Sequence, residues 1–324
     1  MGSPPEHLPD AEIAEYQNSY TVLEVFTVHI HRTIGLSILL MMFLQNSSVS
    51  QSNSRPTVGD MQAAGGTIHY EEVGQGLPVI LMHGGQLDHR MWNDQVAVLS
   101  KIYRVIRYDI RGFGKSSDPQ IPYADFDDLL ALENYLHVQR AVLVGLSLGG
   151  RIALDFALLH PDRVSALVLV GPGLRGYRSP DDEIMNAKEW ENVEAARDSG
   201  YVVATALWLR NPYMAPAMEQ PRLREWIRLL ALDNARNWLV NPLLERPLKP
   251  RAIDRLHDVK VPTLILVGGR DIRRMQGIAD TLYHGIPGAE KEVIAGAGHI
   301  VNMEQPEQFN RSLLEFLEKR NLGK

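Results

Sequence analysis

The residues Ala141-Val142-Leu143-Val144 run directly into Gly145-Leu146-Ser147-Leu148-Gly149, and then into a stretch of helical periodicity that ends at His160-Pro161-Asp162. A short, β-rich, uncharged run suits a strand buried on both faces of a sheet. Residues 150–159 repeat their apolar side chains at helical spacing, and Pro161 stops them. Strand and helix are therefore separated only by a tight turn with Ser147 at its apex. Such a turn forces the serine into a strained backbone conformation and pushes its hydroxyl out beyond the strand end. A side chain at either flanking glycine would collide with the neighbouring strand or helix. Chance alone supplies the five-residue pattern about once in ten chains of this length, so the strand-turn-helix context carries the inference.

Other apolar runs follow the same plan. Pro78-Val79-Ile80-Leu81-Met82 leads into His83-Gly84-Gly85, and Tyr103-Arg104-Val105-Ile106-Arg107-Tyr108 leads into a glycine-containing loop from Asp109 to Ser116. Val164 to Val170 is a further core strand. The run Val261 to Val267 ends in Gly268-Gly269-Arg270-Asp271, and Glu290 to Ile294 ends in a small-residue loop that carries His299. A last helix is expected from about Pro306 to Lys319. Strands alternating with helical segments predict an α/β fold with a mostly parallel central sheet. The loop Gly112-Phe113-Gly114-Lys115-Ser116 lacks the leading glycine that a phosphate-cradling loop needs, so that reading is rejected.

With a serine at a strand-helix turn, then a carboxylate, then a histidine, each after a strand, the sequence resembles the α/β-hydrolase superfamily. The resemblance covers nearly all of the chain beyond residue 57 and implies a triad of Ser147, Asp271 and His299. The chemistry fits these types. A serine hydroxyl needs an adjacent base at neutral pH, and an imidazole with an ordinary pKa near ~6.5 can take the proton and return it to the leaving group. The carboxylate fixes the imidazole tautomer and stabilises the imidazolium. Asp254, Asp258 and Asp280 compete with Asp271 for the acid, and His257 and His284 with His299 for the base, though without the strand-loop context. By the same resemblance the oxyanion hole comes from the amides of Leu148 and Gly85, with Gln86 as an alternative. His83 is implied as a brace for its loop, as is Arg111.

A serine at this turn disfavours the haloalkane dehalogenases and epoxide hydrolases, relatives that carry aspartate there. The expectation is hydrolysis of a small or medium carboxylic ester through an acyl-enzyme. C–C bond hydrolysis, enol-lactone hydrolysis and cofactor-free perhydrolysis use the same triad in related families. A ligand-binding member without turnover is the alternative from another class.

Residues 174–250 read differently from the strands around them. Four of the five tryptophans (Trp190, Trp208, Trp226 and Trp238) fall there, with helical patterning and repeated proline punctuation. The resemblance places a helical cap in this position, over a hydrophobic acyl or aryl pocket of modest size. The division is thus 57–173 and 251–324 for the α/β-hydrolase core, 174–250 for the cap, and 1–56 for an N-terminal extension. In that extension the polar first 20 residues are expected to be disordered. The apolar stretch Thr33 to Leu44 is short for a bilayer span and fits a signal-peptide core, with Ser48-Val49-Ser50 as a cleavage site. The stretch begins late and follows acidic residues, an oddity that a start downstream of Met1 would resolve; export to a periplasmic or extracellular location is expected, with an uncleaved membrane anchor or a packing segment of a cytoplasmic protein as the alternatives, and membrane contact only if the stretch is uncleaved. Asn46-Ser47-Ser48 is a glycosylation sequon, meaningful only in a eukaryotic secretory route.

Composition narrows the partners. The 324 residues suffice for one large domain with an insertion, and the net charge of −6 offers no basic footprint for nucleic acid. The chain has no cysteine, which excludes disulfides and thiolate metal sites. Its histidines are scattered and form no His-Glu-x-x-His motif, so neither a catalytic metal nor a cofactor is expected.

Overall fold

A computed structural model of the protein describes residues 55–322. The expectations for the N-terminal apolar stretch, its cleavage site and the sequon fall outside these residues. The chain forms β1 (Thr57–Ala63), β2 (Gly66–Val73), β3 (Pro78–Met82), α1 (Asn93–Leu99), β4 (Arg104–Tyr108), α2 (Asp125–Tyr135), β5 (Ala141–Leu146), α3 (Leu148–Leu159) and β6 (Val164–Val170). Then come α4 (Asp182–Asp198), α5 (Tyr201–Trp208), α6 (Ala215–Met218), α7 (Pro221–Asp233), β7 (Thr263–Gly268), α8 (Arg273–Gly285), β8 (Glu290–Ile294), α9 (Val301–Glu304) and α10 (Pro306–Lys319).

The strands make one eight-stranded sheet in the order β1-β2-β4-β3-β5-β6-β7-β8. The pairs β1–β2 and β2–β4 are antiparallel and the others parallel. Strands β5, β6 and β7 are buried along their whole length because helices cover both faces, which is why their sequences are continuous apolar runs. Alternation still decides which face each residue serves. Ile80, Met82 and Leu143 pack with Leu132, Ile152 and Leu282 on one side. Val79, Leu81, Val142 and Val144 pack with Trp92, Leu99 and Leu313 on the other. Each such aliphatic side chain contributes roughly 1.5–3 kcal/mol by leaving water.

The segment between β6 and β7 contains α4 to α7 and several 3₁₀ turns, and no strand. Ala204, Trp208, Ile227 and Leu230 of this insert join the second apolar cluster. Core and insert are also tied by charge: Arg151 on α3 donates to Glu245 of the insert at 2.7 Å, and Arg175 donates to the same carboxylate oxygen at 2.5 Å. Asp125 completes the group, 2.9 Å from the second Arg151 nitrogen.

Candidate active site

All of the candidate site residues stand at the carboxyl ends of parallel strands, where an open α/β sheet places its ligand crevice. Ser147 follows β5 with φ 52° and ψ −105°, a conformation that L side chains rarely adopt and that costs of order 1–3 kcal/mol. Four backbone bonds hold it there. Ser147 N donates to Val170 O at 2.9 Å, and Ser147 O accepts from Arg151 N at 3.0 Å and from Gly173 N at 2.9 Å. Gly149 N donates to His83 O at 3.0 Å, joining the turn to the end of β3. A Cβ on Gly145 would collide with the Gly149 backbone, and one on Gly149 with the Met82 carbonyl. The turn can be this tight only because both positions are glycine.

The loops after β7 and β8 are bonded to each other, Gly269 N to Ile294 O at 2.9 Å and Arg270 N to Ala297 O at 2.8 Å. This brings Asp271 Oδ2 to 2.8 Å from His299 Nδ1, while Asp271 Oδ1 accepts from Ile272 N at 2.8 Å. Both side chains are buried. Burial alone would lower the imidazole pKa, but the Asp271 carboxylate outweighs it and the net shift is upward. Glu304 pins the loop on both sides of the histidine, accepting from Gly298 N at 2.7 Å and from Ile300 N at 3.0 Å. Tyr213 of the insert meets the imidazole edge-on, with ring centroids 5.5 Å apart. Neither Glu304 nor Tyr213 was singled out in the sequence as a site residue. Glu304 stands just before the helix expected from Pro306, and Tyr213 carries no local signature. Among the described hydrogen bonds none joins Ser147 Oγ to His299, although both residues line one cavity. Such bonds commonly tighten only when substrate is bound.

Leu148 is the first residue of α3, so its N–H has no partner within the helix and points with the positive end of the helix dipole. Gly85 lines the same cavity, and nothing lies within 4 Å of where its side chain would stand. His83 is fully buried, with Nδ1 2.8 Å from Gly84 O and Nε2 accepting from Ile110 N at 2.9 Å. Burial holds its pKa down. It is thus a neutral brace between two loops and does not line the cavity. Arg111 braces in the same way, with a bidentate pair to Asp128 at 2.7 and 2.6 Å. Gln86, with φ 59°, reaches the insert: its carboxamide is satisfied when it accepts from Trp238 Nε1 at 3.1 Å and donates to Asn234 O at 3.3 Å.

The cavity has a volume of about 970 Å³ and is roofed by Trp208, Tyr213 and Trp238 from the insert. This corrects the expectation of a modest hydrophobic pocket. The space is at the large end of the range for small-molecule sites, and the Arg151, Asp125 and Glu245 group forms part of its lining. No local pattern marks this group, because Arg151 and Glu245 are 94 residues apart. Burial, with Glu245 nearby, raises the Asp125 carboxyl to about 7 in spite of Arg151. The competing acids and histidines lie elsewhere. Asp254 and Asp258 pair with Arg251 and Arg255, Asp280 pairs with Lys291, and His257 is exposed beside Asp258; none of them lines the cavity, and neither does His284.

Residues 79–312 match the model of the alpha/beta hydrolase family. A 2-hydroxy-6-oxononadienedioate/2-hydroxy-6-oxononatrienedioate hydrolase of Paraburkholderia phymatum is 32% identical over 285 residues, covering 78% of this chain and 92% of that protein. Among solved structures, an esterase from Thermogutta terrifontis with malate bound is 31% identical with a TM-score of 0.69, covering 82% of this chain and 99% of its own. The enol-lactonase of Burkholderia xenovorans is 27% identical with a TM-score of 0.67, covering 80% and 100%. The chain belongs to the α/β hydrolase family. These three proteins are named for hydrolytic activities, and their named substrates differ from one another.

Proposed function

We propose that the protein is a serine hydrolase of small or medium carboxylic esters, working through an acyl-enzyme on Ser147. The observation that carries this reading is the joint geometry at one cavity: a strained, outward-facing serine, a histidine oriented by a carboxylate at 2.8 Å, and the first amide of a helix beside them. In this reading His299 Nε2 removes the Ser147 proton as Oγ attacks the ester carbonyl. The amides of Leu148 and Gly85 receive the developing oxyanion, and each such donor is worth about 3 kcal/mol in the transition state. The imidazolium, stabilised by Asp271, protonates the departing alcohol. Water then repeats the sequence on the acyl-enzyme with His299 again as base.

A panel of p-nitrophenyl esters of increasing acyl length, with Ser147→Ala as control, tests this. The expected result is a clear optimum in kcat/KM that the variant loses. Undiminished turnover in Ser147→Ala would sink the reading. The polar group on the cavity wall and the Paraburkholderia relative support a second reading, attack by the same serine on a dienoate or an enol-lactone. It predicts rates on ring-fission dienoates or enol-lactones far above those on every simple ester in the panel.

A further inference from the structure

The histidines that look scattered in the sequence are not scattered in space. His69 and Glu71 are two residues apart on β2 and therefore project from the same face. His89, in the short 3₁₀ turn after the Gly84–Gly85 loop, packs over that face, with its ring centroid 5.6 Å from that of His69. One ligand atom from each of His69, Glu71 and His89 lies within 4.8 Å of the other two.

The surrounding contacts orient all three side chains. His69 Nδ1 is 2.7 Å from Oδ1 of Asp60, its cross-strand partner on β1. His89 Nδ1 is 2.6 Å from Asp109 Oδ1. Each imidazole is thus anchored through Nδ1 by a carboxylate, leaving Nε2 as the inward atom. Carboxylates in that position are what metal-binding histidines ordinarily have, because they fix the tautomer and raise ligand basicity. The third side chain is fixed as well: Arg107, opposite Glu71 on β4, holds Glu71 Oε2 at 2.5 Å, so Oε1 faces the rings. His89 Nε2 and Glu71 Oε1 are 3.2 Å apart, about the separation of two ligands on a tetrahedral zinc with bonds near ~2.0–2.1 Å.

One further observation points to a ligand. The His69 side chain is only 5% exposed, yet its Nε2 has no hydrogen-bond partner. An orphaned buried nitrogen of this kind destabilises the fold unless something fills the space beside it.

We propose that His69 Nε2, Glu71 Oε1 and His89 Nε2 bind one divalent transition-metal cation, with Zn²⁺ the best match to two imidazoles and a carboxylate. Water completes the coordination. The ion lies away from the Ser147 cavity: its ligands are absent from the cavity lining and it takes no part in hydrolysis. Its role is structural. It ties the antiparallel β1–β2 pair to the turn that follows Gly84 and Gly85, two segments of which the family model matches only the second. No sequence motif marks it, because the ligands come from two elements, β2 and the turn at His89, in no known motif spacing.

Titrating the full-length, chelator-treated protein with Co²⁺ while recording its visible spectrum tests the assignment. The wild type is expected to bind one equivalent with the intense absorption of a four-coordinate site, and added Zn²⁺ is expected to displace it and to raise Tm. His69→Asn should abolish that signal. Asp60→Asn alters an exposed carboxylate and leaves the fold intact, and it should weaken binding by about 10–100-fold. Two results would overturn the proposal: a wild type that shows only the pale spectrum of a six-coordinate or unbound ion, or an intense one-equivalent signal that persists unchanged in both variants.

Discussion

Ser147, Asp271 and His299 stand out in the sequence because each follows a buried strand and each is the only residue of its type in its turn. Strand ends are where chemistry can be read from one dimension. The lining of the cavity could not be read that way, because Arg151, Glu245 and Tyr213 gain their roles from contacts made across the chain. The electrostatics of His299 give a pH prediction. The Asp271 carboxylate raises its pKa above the ordinary value, and only the neutral imidazole can accept the serine proton. Activity should therefore rise with pH through a midpoint above ~6.5. In Asp271→Asn the raising charge is gone, so the midpoint of kcat/KM against pH should move to lower pH. The maximal kcat should fall by roughly three to four orders of magnitude. An unshifted acid limb would show that Asp271 does not face the working histidine.

At the scale of elements, the interior strands were legible because burial on both faces makes them unbroken apolar runs. Strands β1 and β2, the antiparallel end of the sheet, were not, since their residues are mixed and partly exposed. The 3₁₀ turns of the insert likewise carry no periodicity long enough to detect. The element that positions His299 is α9, and its supports are polar. Glu304 accepts two backbone bonds beside the histidine. Fully buried Asn302 donates to Met91 O at 3.0 Å and to Gln95 Oε1 at 3.1 Å. Glu304→Ala leaves two buried amides unpaired, at a cost of about 1–3 kcal/mol in stability. It should also lower kcat by at least tenfold while changing KM little, because it misplaces the base without removing a substrate contact. Chemical denaturation and steady-state kinetics on the same preparation separate the two effects. Gly149→Ala drives a Cβ into the Met82 carbonyl. It should lower stability by about 1–3 kcal/mol or more, as overpacking does, and abolish activity with it, measured by Tm and by turnover.

For the whole molecule, the buried carboxylates set how stability responds to pH. Glu133 on α2 is inaccessible to water, and burial raises its pKa to about 8 despite Arg163 at 3.0 Å. In the unfolded chain the same group titrates near its ordinary value of 4.5. The folded state holds that proton more tightly, so this group's contribution is fully present at low pH. It is lost as pH rises from about 4.5 through about 8. Replacing Glu133 by Gln removes the titration. The variant should gain Tm relative to wild type at pH 8 and lose that advantage at pH 5, and an equal difference at both values would refute the assignment. The same long-range packing makes the insert and the core a single functional unit. Trp208, Tyr213 and Trp238 roof a cavity whose floor is Ser147 and Leu148, so acyl preference should follow substitutions in the insert while the reaction itself follows the core.

The central claim is that Ser147 accepts an acyl group. It is tested most directly by quenching the protein with acid shortly after mixing with p-nitrophenyl acetate, then mapping the modified peptide by mass spectrometry. The account predicts one acetyl group on Ser147, a burst of one equivalent of p-nitrophenolate, and neither in Ser147→Ala. An acetyl group carried on a different residue, or a burst that survives in Ser147→Ala, would contradict it.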